Sequence, residues 1–390
     1  MSHYHMLLSI VFIVASLLVI YHHAGYPLLL KWWTKHTSQQ SSRASQRHFR
    51  QCQQDSNRPT VTFVIPAYNE QAWIADKIRN TASLDYPKQK LVVKIICDGC
   101  TDNTFEVATA TIQEAICADT LFEVIAHKQN RGKVAIINEV VPNISSDLTV
   151  LSDVTSLVSI DALLVAETHF NNQKVGVVNG SYSLFSSGSD GEQKYWQYQS
   201  QLKAAEANLA TSIGSHGAFY IFRSHLFQPL ASNSINDDFI LPMQIVKKGY
   251  LADYDADVIA TEMQPTSLKD DFARRLRISA GNMQQAITLF GLFHPKFKNI
   301  AFAFFSGKGL RLLTPYLIFI TLITSAILQQ YAVFQLAFYA QIAIFATSIV
   351  CWLLPSLTSI KPLGLIHYLC MGHTANFIGG VRYLIIKNNH

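Results

Sequence analysis

The sequence predicts an α/β domain with a mostly parallel sheet, set between apolar helices long enough to cross a bilayer. Two observations predict it. Residues 1–30 and 312–360 contain no Asp, Glu, Lys or Arg. Between them, residues 60–262 alternate short β-branched runs with stretches of helical periodicity and carry most of the turn residues and charge. Short buried strands separated by helices imply a sheet covered on both faces.

The elements follow in order. A spanning helix needs about 20 mostly apolar residues, so residues 1–30 hold one span. They lack a basic leader and a small-residue cleavage site, which predicts an uncleaved anchor. Residues 31–58 form a basic, Ser/Gln-rich linker: Lys31, Lys35, Arg43, Arg47, Arg50 and Arg58 stand against Asp55 alone. By the positive-inside tendency this end faces the cytoplasm.

The domain at 59–265 opens with VTFVIP (61–66) and continues through LVVKIIC, FEVIA, DLTVLSD and KVGVVNGSYSLF, with helix-like segments between them. Residues 266–309 read as amphipathic interfacial helices. Residues 310–355 read as an apolar hairpin turning near Gln329 and Gln330, with Lys308 and Arg311 before it. Residues 363–386 form a third apolar segment, spanning or interfacial, which carries His367, His373 and Asn376. The net charge of +5 is accounted for by basic flanks at anionic headgroups, and no basic and aromatic stripe of the nucleic-acid-binding kind is present.

In open α/β sheets ligands bind beyond the carboxyl ends of the strands, and four polar motifs fall there. IPAYNE (65–70) ends the first strand, CDGCTDNT (97–104) the second, KQNRGKVAIIN (128–138) the third and LSDVTS (151–156) the fourth. The two cysteines of CDGCTDNT have redox or zinc spacing, yet no second ligand pair is present, and TDNT supplies helix-capping residues. Two readings of Asp98 remain: an acceptor for a nucleotide base, or an Asp-Gly turn that only starts a helix. In NRGK, a glycine beside Arg131 and Lys133 suits a diphosphate, and an exposed turn before a helix would look the same.

In this order and spacing the motifs, over residues 61–284, resemble glycosyltransferase family 2, the inverting enzymes of GT-A fold. The resemblance implies a Rossmann-like cytoplasmic domain that binds a nucleotide sugar. Pro66, Tyr68, Glu70 and Asp98 would line the base and ribose pocket, and Arg131 and Lys133 the diphosphate. LSDVTS occupies the DxD position, so Asp153 would hold Mg2+ or Mn2+, although Thr155 stands for the second acid.

Further along, Glu206, Ser215, His216 and Gly217 would lie near the acceptor, a membrane lipid, lipid-linked glycan or growing polysaccharide. The paired acids of SINDDFILPMQIVKKGY resemble the ED motif, with Asp238 as general base. Asp237 is the other candidate catalytic acid, and helix capping is the alternative use of either. FARRLRISAGNMQ (272–284) resembles the QxxRW region, with Arg274 and Arg277 placed to clamp the diphosphate. Arg274 replaces Gln, and Ile278 replaces the Trp that processive enzymes use under the acceptor sugar.

The resemblance therefore implies a membrane-anchored inverting transferase using a nucleotide sugar, with a UDP-sugar expected, in cell-surface glycan synthesis. A processive synthase and a non-catalytic nucleotide-sugar-binding subunit are the alternatives. A transporter is excluded by the large polar insert and the lack of repeated halves.

Overall fold

The computed structural model describes residues 3–35, 53–186, 190–264 and 268–388. Most of the basic linker, with Arg43, Arg47 and Arg50, lies outside the described residues. The chain divides into two compact units, one of Met1–Trp33, Ser189–Gly191 and Thr266–His390 and one of Thr34–Gly188 with Glu192–Pro265.

The apolar unit begins with α1 (His3–Ile20) and α2 (Tyr26–Thr34), joined without a break by the π-helical turn Tyr21–Gly25. Within the sheet unit the helices are α3 (Ile74–Ala82), α4 (Thr104–Thr111), α5 (Lys133–Val140), α6 (Ala162–His169), α7 (Asp190–Leu209) and α8 (Asp237–Lys247). The apolar unit resumes with α9 (Leu268–Thr288), α10 (Asn299–Ala303), α11 (Leu310–Ile327), α12 (Ala332–Leu353) and α13 (Lys361–Asn388). Among the described residues three helical runs are long and apolar enough to cross a membrane: His3–Thr34, Asn299–Ile327 and Ala332–Leu353.

Eight strands form the sheet: β1 (Val61–Ala67), β2 (Leu91–Asp98), β3 (Leu121–His127), β4 (Leu148–Leu151), β5 (Ser156–Val158), β6 (Val175–Leu184), β7 (Tyr220–Arg223) and β8 (Leu251–Glu262). Their order is β3-β2-β1-β4-β7-β6-β8-β5. The left half is parallel, with Val61 opposite both Leu91 and Leu148. β1 and β2 read as near-continuous apolar runs because both their faces are covered, and Phe63, Ile65, Val93 and Ile95 are fully buried. β7 runs antiparallel to β4, with Tyr220 opposite Leu151. That reversal brings the segment before β7 to the same edge as the carboxyl ends of β1 to β4.

α6 packs on β8 through His169. Its Nδ1 lies 2.7 Å from Asp253 Oδ2 and its Nε2 2.8 Å from Asp255 Oδ2. Burial disfavours the imidazolium, but bonds to both carboxylates outweigh it and push the pKa up to about 9. Since the folded value lies above the ordinary 6.5, this charge stabilises the fold fully below pH 6.5, and the contribution is lost as pH rises towards 9. The unfolding midpoint of the protein should therefore fall over that interval relative to His169→Gln, measured by circular dichroism. A difference that stays constant with pH would refute the charged state.

Candidate active site

Each of the four strand-end motifs is built into the edge by side-chain to backbone bonds. Asn69, in the left-handed region at φ 55°, accepts from Thr101 N–H at 2.8 Å. Thr104 Oγ1 accepts from Glu70 N–H at 2.7 Å, and Asp102 Oδ1 accepts from Thr104 N–H at 3.0 Å. The turn residues of CDGCTDNT thus tie the β1 and β2 loops together as well as starting α4.

Asp98, buried at the end of β2, reaches across to the β3 loop. Its Oδ2 accepts from the N–H groups of Arg131 at 2.9 Å and Gly132 at 2.7 Å. Its Oδ1 is buried without a hydrogen-bond partner among the described residues. One oxygen of Asp98 therefore builds the loop, while the other makes no hydrogen bond among them and lies 3.9 Å from Arg131 Nε. Gly99 makes this crossing possible: at φ 66° its backbone passes so close that a Cβ would lie 2.2 Å from Asn130 N. The left-handed conformation alone costs a non-glycine residue about 1–2 kcal/mol, and the collision with backbone adds to it. Gly99→Ala should destabilise the sheet unit by at least about 2 kcal/mol in chemical unfolding. An unchanged midpoint would show that the two loops can separate freely.

The cysteines are structural. Cys97 is buried in β2, and burial with neighbouring Cys100 pushes its thiol up to about 12, the reverse of an activated redox thiol. Cys100 Sγ donates to Ala67 O at 3.5 Å.

At the end of β4, Asp153 meets the β3 loop and α8. Lys133 Nζ lies 2.7 Å from Asp153 Oδ1 and 3.4 Å from Asp237 Oδ2. Burial raises the Asp153 carboxyl, but the charge and hydrogen bond of Lys133 outweigh it and hold the group below the ordinary carboxylate value. Lys133 in turn is held well above the ordinary lysine value: burial disfavours its charge, and Asp153, Asp237 and Asp238 together overcome that.

Asp237 and Asp238 open α8, yet neither caps it. Asn236 occupies the cap position without a side-chain bond, and Asp238 Oδ2 instead accepts from Gly217 N–H at 3.0 Å. Burial and the adjacent Asp237 push the Asp238 carboxyl up to about 6, against the pull of Lys133. Gly217 is a close-approach glycine: a Cβ there would lie 2.5 Å from Asp153 Oδ2, and its carbonyl accepts from Asp153 N–H at 3.0 Å.

The structure thus brings Asp98, Lys133, Asp153, Gly217, Asp237 and Asp238 to one edge. Glu70 joins them electrostatically, its carboxyl pushed up to about 7 by burial and then by Asp153, Glu262 and Asp102. Pro66 is half-buried and Tyr68 exposed at the mouth of β1. The Arg131 guanidinium lies 2.5 Å from Glu139 and 2.8 Å from His127, with its Nε 3.9 Å from Asp98 Oδ1, while Lys133 is the cation of NRGK that meets Asp153 and Asp237. Arg274 and Arg277 are exposed on α9, in the other unit.

The expected acceptor residues have internal bonds. Glu206 is buried and its Oε2 accepts from Ile213 N–H at 3.2 Å. Ser215 Oγ bonds to Asn179 Oδ1. The ring of His216 stacks on Tyr182, centroids 3.8 Å apart, and meets Trp196 edge-on at 5.0 Å.

Lys77 escapes sequence reasoning. Fully buried in α3, it donates to Ser152 Oγ at 2.6 Å and to Ser156 O, bracing both ends of the loop that carries Asp153. Burial lowers its pKa to about 7 against the pull of Asp153 and Glu262. Its place between Ile74 and Ile78, on the buried side of α3, was the available signal.

Comparison with known proteins is consistent with this edge. The family profile "Glycosyltransferase like family 2" matches residues 59–281. The chain is similar to poly-beta-1,6-N-acetyl-D-glucosamine synthase of Staphylococcus aureus (strain COL), 24% identical over 229 residues, 57% of this chain and 54% of that protein. The synthase of Staphylococcus epidermidis matches with the same identity and extent. The chain spans about half the length of these curated relatives. Among solved structures, a mannosyltransferase from Pyrobaculum calidifontis in complex with GDP-Man and Mn2+ superposes with a TM-score of 0.71 at 22% identity, covering 96% of this chain and 99% of that one.

Proposed function

The chain belongs to glycosyltransferase family 2, and from that premise we propose that it is a membrane-bound inverting glycosyltransferase with its sheet unit at the cytoplasmic face. It moves a sugar from a nucleotide sugar, a UDP-sugar in this reading, to a lipid-linked or polysaccharide acceptor in cell-surface glycan synthesis. The observation that carries the reading is Asp238. It is a carboxylate with its pKa pushed up to about 6, oriented by Gly217 N–H, beside the Lys133, Asp153 and Asp237 cluster at the ligand edge of the sheet.

In the proposed mechanism Asp98 Oδ1 accepts from the base, and Lys133 offsets charge on the diphosphate. Asp238 takes the proton of the acceptor hydroxyl as that oxygen attacks the anomeric carbon from the face opposite the diphosphate. Arg274 and Arg277 are further candidates for the diphosphate. A single carboxylate fits a Mg2+ or Mn2+ site completed by the donor's own phosphates: Asp153 Oδ1 is bonded to Lys133 and Oδ2 abuts the side-chain-free Gly217. Such a cation, when bound, neutralises the departing nucleoside diphosphate.

The similarity to polymer synthases favours a second reading in which transfer is processive, while Ile278 in place of an aromatic platform favours single addition. The test is nucleoside diphosphate release by the full chain in lipid across a panel of nucleotide sugars, with and without Mn2+ or Mg2+, followed by product sizing. Turnover with one donor is expected, and only metal-dependent turnover supports Asp153 as a ligand. Long products would favour the processive reading. Donor binding without turnover, even with native membrane lipids supplied, would favour a non-catalytic binding subunit.

A further inference from the structure

Within the apolar unit, two π-helical turns face one another: Tyr21–Gly25 between α1 and α2, and Phe304–Gly309 before α11. π-Helical insertions in helices recur at functional sites. Here they are joined by Tyr21 Oη to Ser306 Oγ at 3.0 Å and by His22 Nδ1 to Ser306 O at 3.1 Å. The insertion turns His22 and His23 towards α13, where His373 meets them. Ring centroids are 5.0 Å apart for His22 and His23 and 5.1 Å for His23 and His373. Arg311 is an electrostatic neighbour of all three rings, and Lys308 of His22. No hydrogen bond to His23 or His373 is found among the described residues.

Depth follows from helix geometry. At 1.5 Å per residue, about 20 residues cross a hydrocarbon core of about 30 Å. Counting from His3 places the far boundary of the first span near His22 and His23. Counting back from the turn after Ile327 places it near Lys308 and Arg311. The opposite ends of these two helices are also pinned together, His5 Nδ1 lying 3.1 Å from Gln330 Nε2. The histidine cluster therefore sits at headgroup depth, on the side that carries Lys31.

The charge of the region selects the ligand. From Phe272 to His390 the sequence holds ten Lys or Arg and no Asp or Glu. Three imidazoles alone would suit a transition metal, but Arg311 and Lys308 make the field repel a cation, and no carboxylate is among the described charged neighbours of these rings. The same field attracts an anion, and neutral imidazole N–H, guanidinium and ammonium groups are all donors to phosphate oxygens.

We propose that His22, His23 and His373, with Arg311, form a binding site for the phosphate group of a lipid at headgroup depth. The proposal rests on the membrane placement given above and not on the transfer chemistry. A lipid bearing a terminal monophosphate, whose chain stays in the bilayer, is the ligand that satisfies both the charge and the depth.

The test uses the full chain in phosphatidylcholine nanodiscs with ring 15N-labelled histidine. A long-chain isoprenyl monophosphate, phosphatidylglycerol or inorganic phosphate is added in separate arms. The monophosphate lipid should shift the histidine ring signals and be retained in native mass spectra. Retention should weaken about tenfold in His23→Gln/His373→Gln, as loss of a charge-assisted bond implies. The single variant His373→Gln guards against misfolding of the pair and should weaken retention in the same direction. Equal retention in wild type and variants, equal retention of phosphatidylglycerol, or equal ring shifts with inorganic phosphate alone would overturn the proposal. Nucleotide binding, measured in parallel, reports on the transferase reading separately, because these variants leave the sheet unit untouched.

Discussion

Asp238→Asn should lower kcat by about 10^2–10^4, the usual contribution of a positioned general base, with the donor KM unchanged. The amide keeps the shape of the carboxylate and retains an oxygen to accept from Gly217 N–H, which the native side chain does at 3.0 Å, so the fold and the donor pocket are preserved. What is lost is the ability to take a proton. Because the Asp238 carboxyl is pushed up to about 6, by burial first and then by Asp237, kcat/KM should rise with pH through that value and level off above it. The dependence is a loss of rate on acidification, since only the carboxylate form acts as base. Initial rates from pH 5 to 8 check this, and a donor KM that rises in step with the fall in kcat would instead make Asp238 a binding residue. Comparable loss in Asp237→Asn with none in Asp238→Asn would exchange the two assignments.

Lys133→Met should be nearly as damaging, in a different way. Lys133 is the cation that Asp153, Asp237 and Asp238 share. Its removal leaves three neighbouring carboxylates facing one another, and like charges raise each other's pKa. The acid limb of the pH profile should move upward from about 6, so that activity at neutral pH falls even where alkaline rates recover. Affinity for the nucleoside diphosphate should fall as well, by about ten- to a hundredfold, the weight of a charge-assisted hydrogen bond of about 1.5–3 kcal/mol. Calorimetric titration with the diphosphate and rate profiles between pH 6 and 9 separate the two effects. An unmoved acid limb would mean that Lys133 does not set the protonation of Asp238.

The parallel half of the sheet was legible because burial on both faces leaves the plainest mark a strand can make: VTFVIP and LVVKIIC are apolar at every position but Thr62 and Lys94. The loops that follow them were legible as candidate sites because their polar residues fall where strands end. β8 was not, since Asp253, Asp255 and Asp257 break its apolar pattern, and the reason two of them stand there is His169, a partner 84 and 86 residues away in sequence. Lys77 was hidden for a related reason: lysine in a helix ordinarily reads as surface, and only the fold shows the carbonyl and hydroxyl oxygens that receive it. Arg131 shows the limit of a motif. NRGK marks its position at the strand end, but Glu139, eight residues further along the chain, holds one end of its guanidinium. The helix of FARRLRISAGNMQ formed as its periodicity implied, with Arg274 and Arg277 exposed and Arg275 half-buried over the Tyr368 ring.

The cross-bracing of the strand-end loops has a consequence for how this protein recognises its donor. Asn69 is locked to Thr101 and Asp98 to Arg131 and Gly132 before any ligand arrives, and Gly99 is wedged against Asn130. On the proposed reading, in which the donor binds at these loops, a nucleotide meets a mould already set, with little loop entropy left to remove on association. Discrimination between bases in such a mould works by rejection, a misfitting ring finding no backbone that will yield, and so it should persist across temperature, where pockets that close around their ligand lose it.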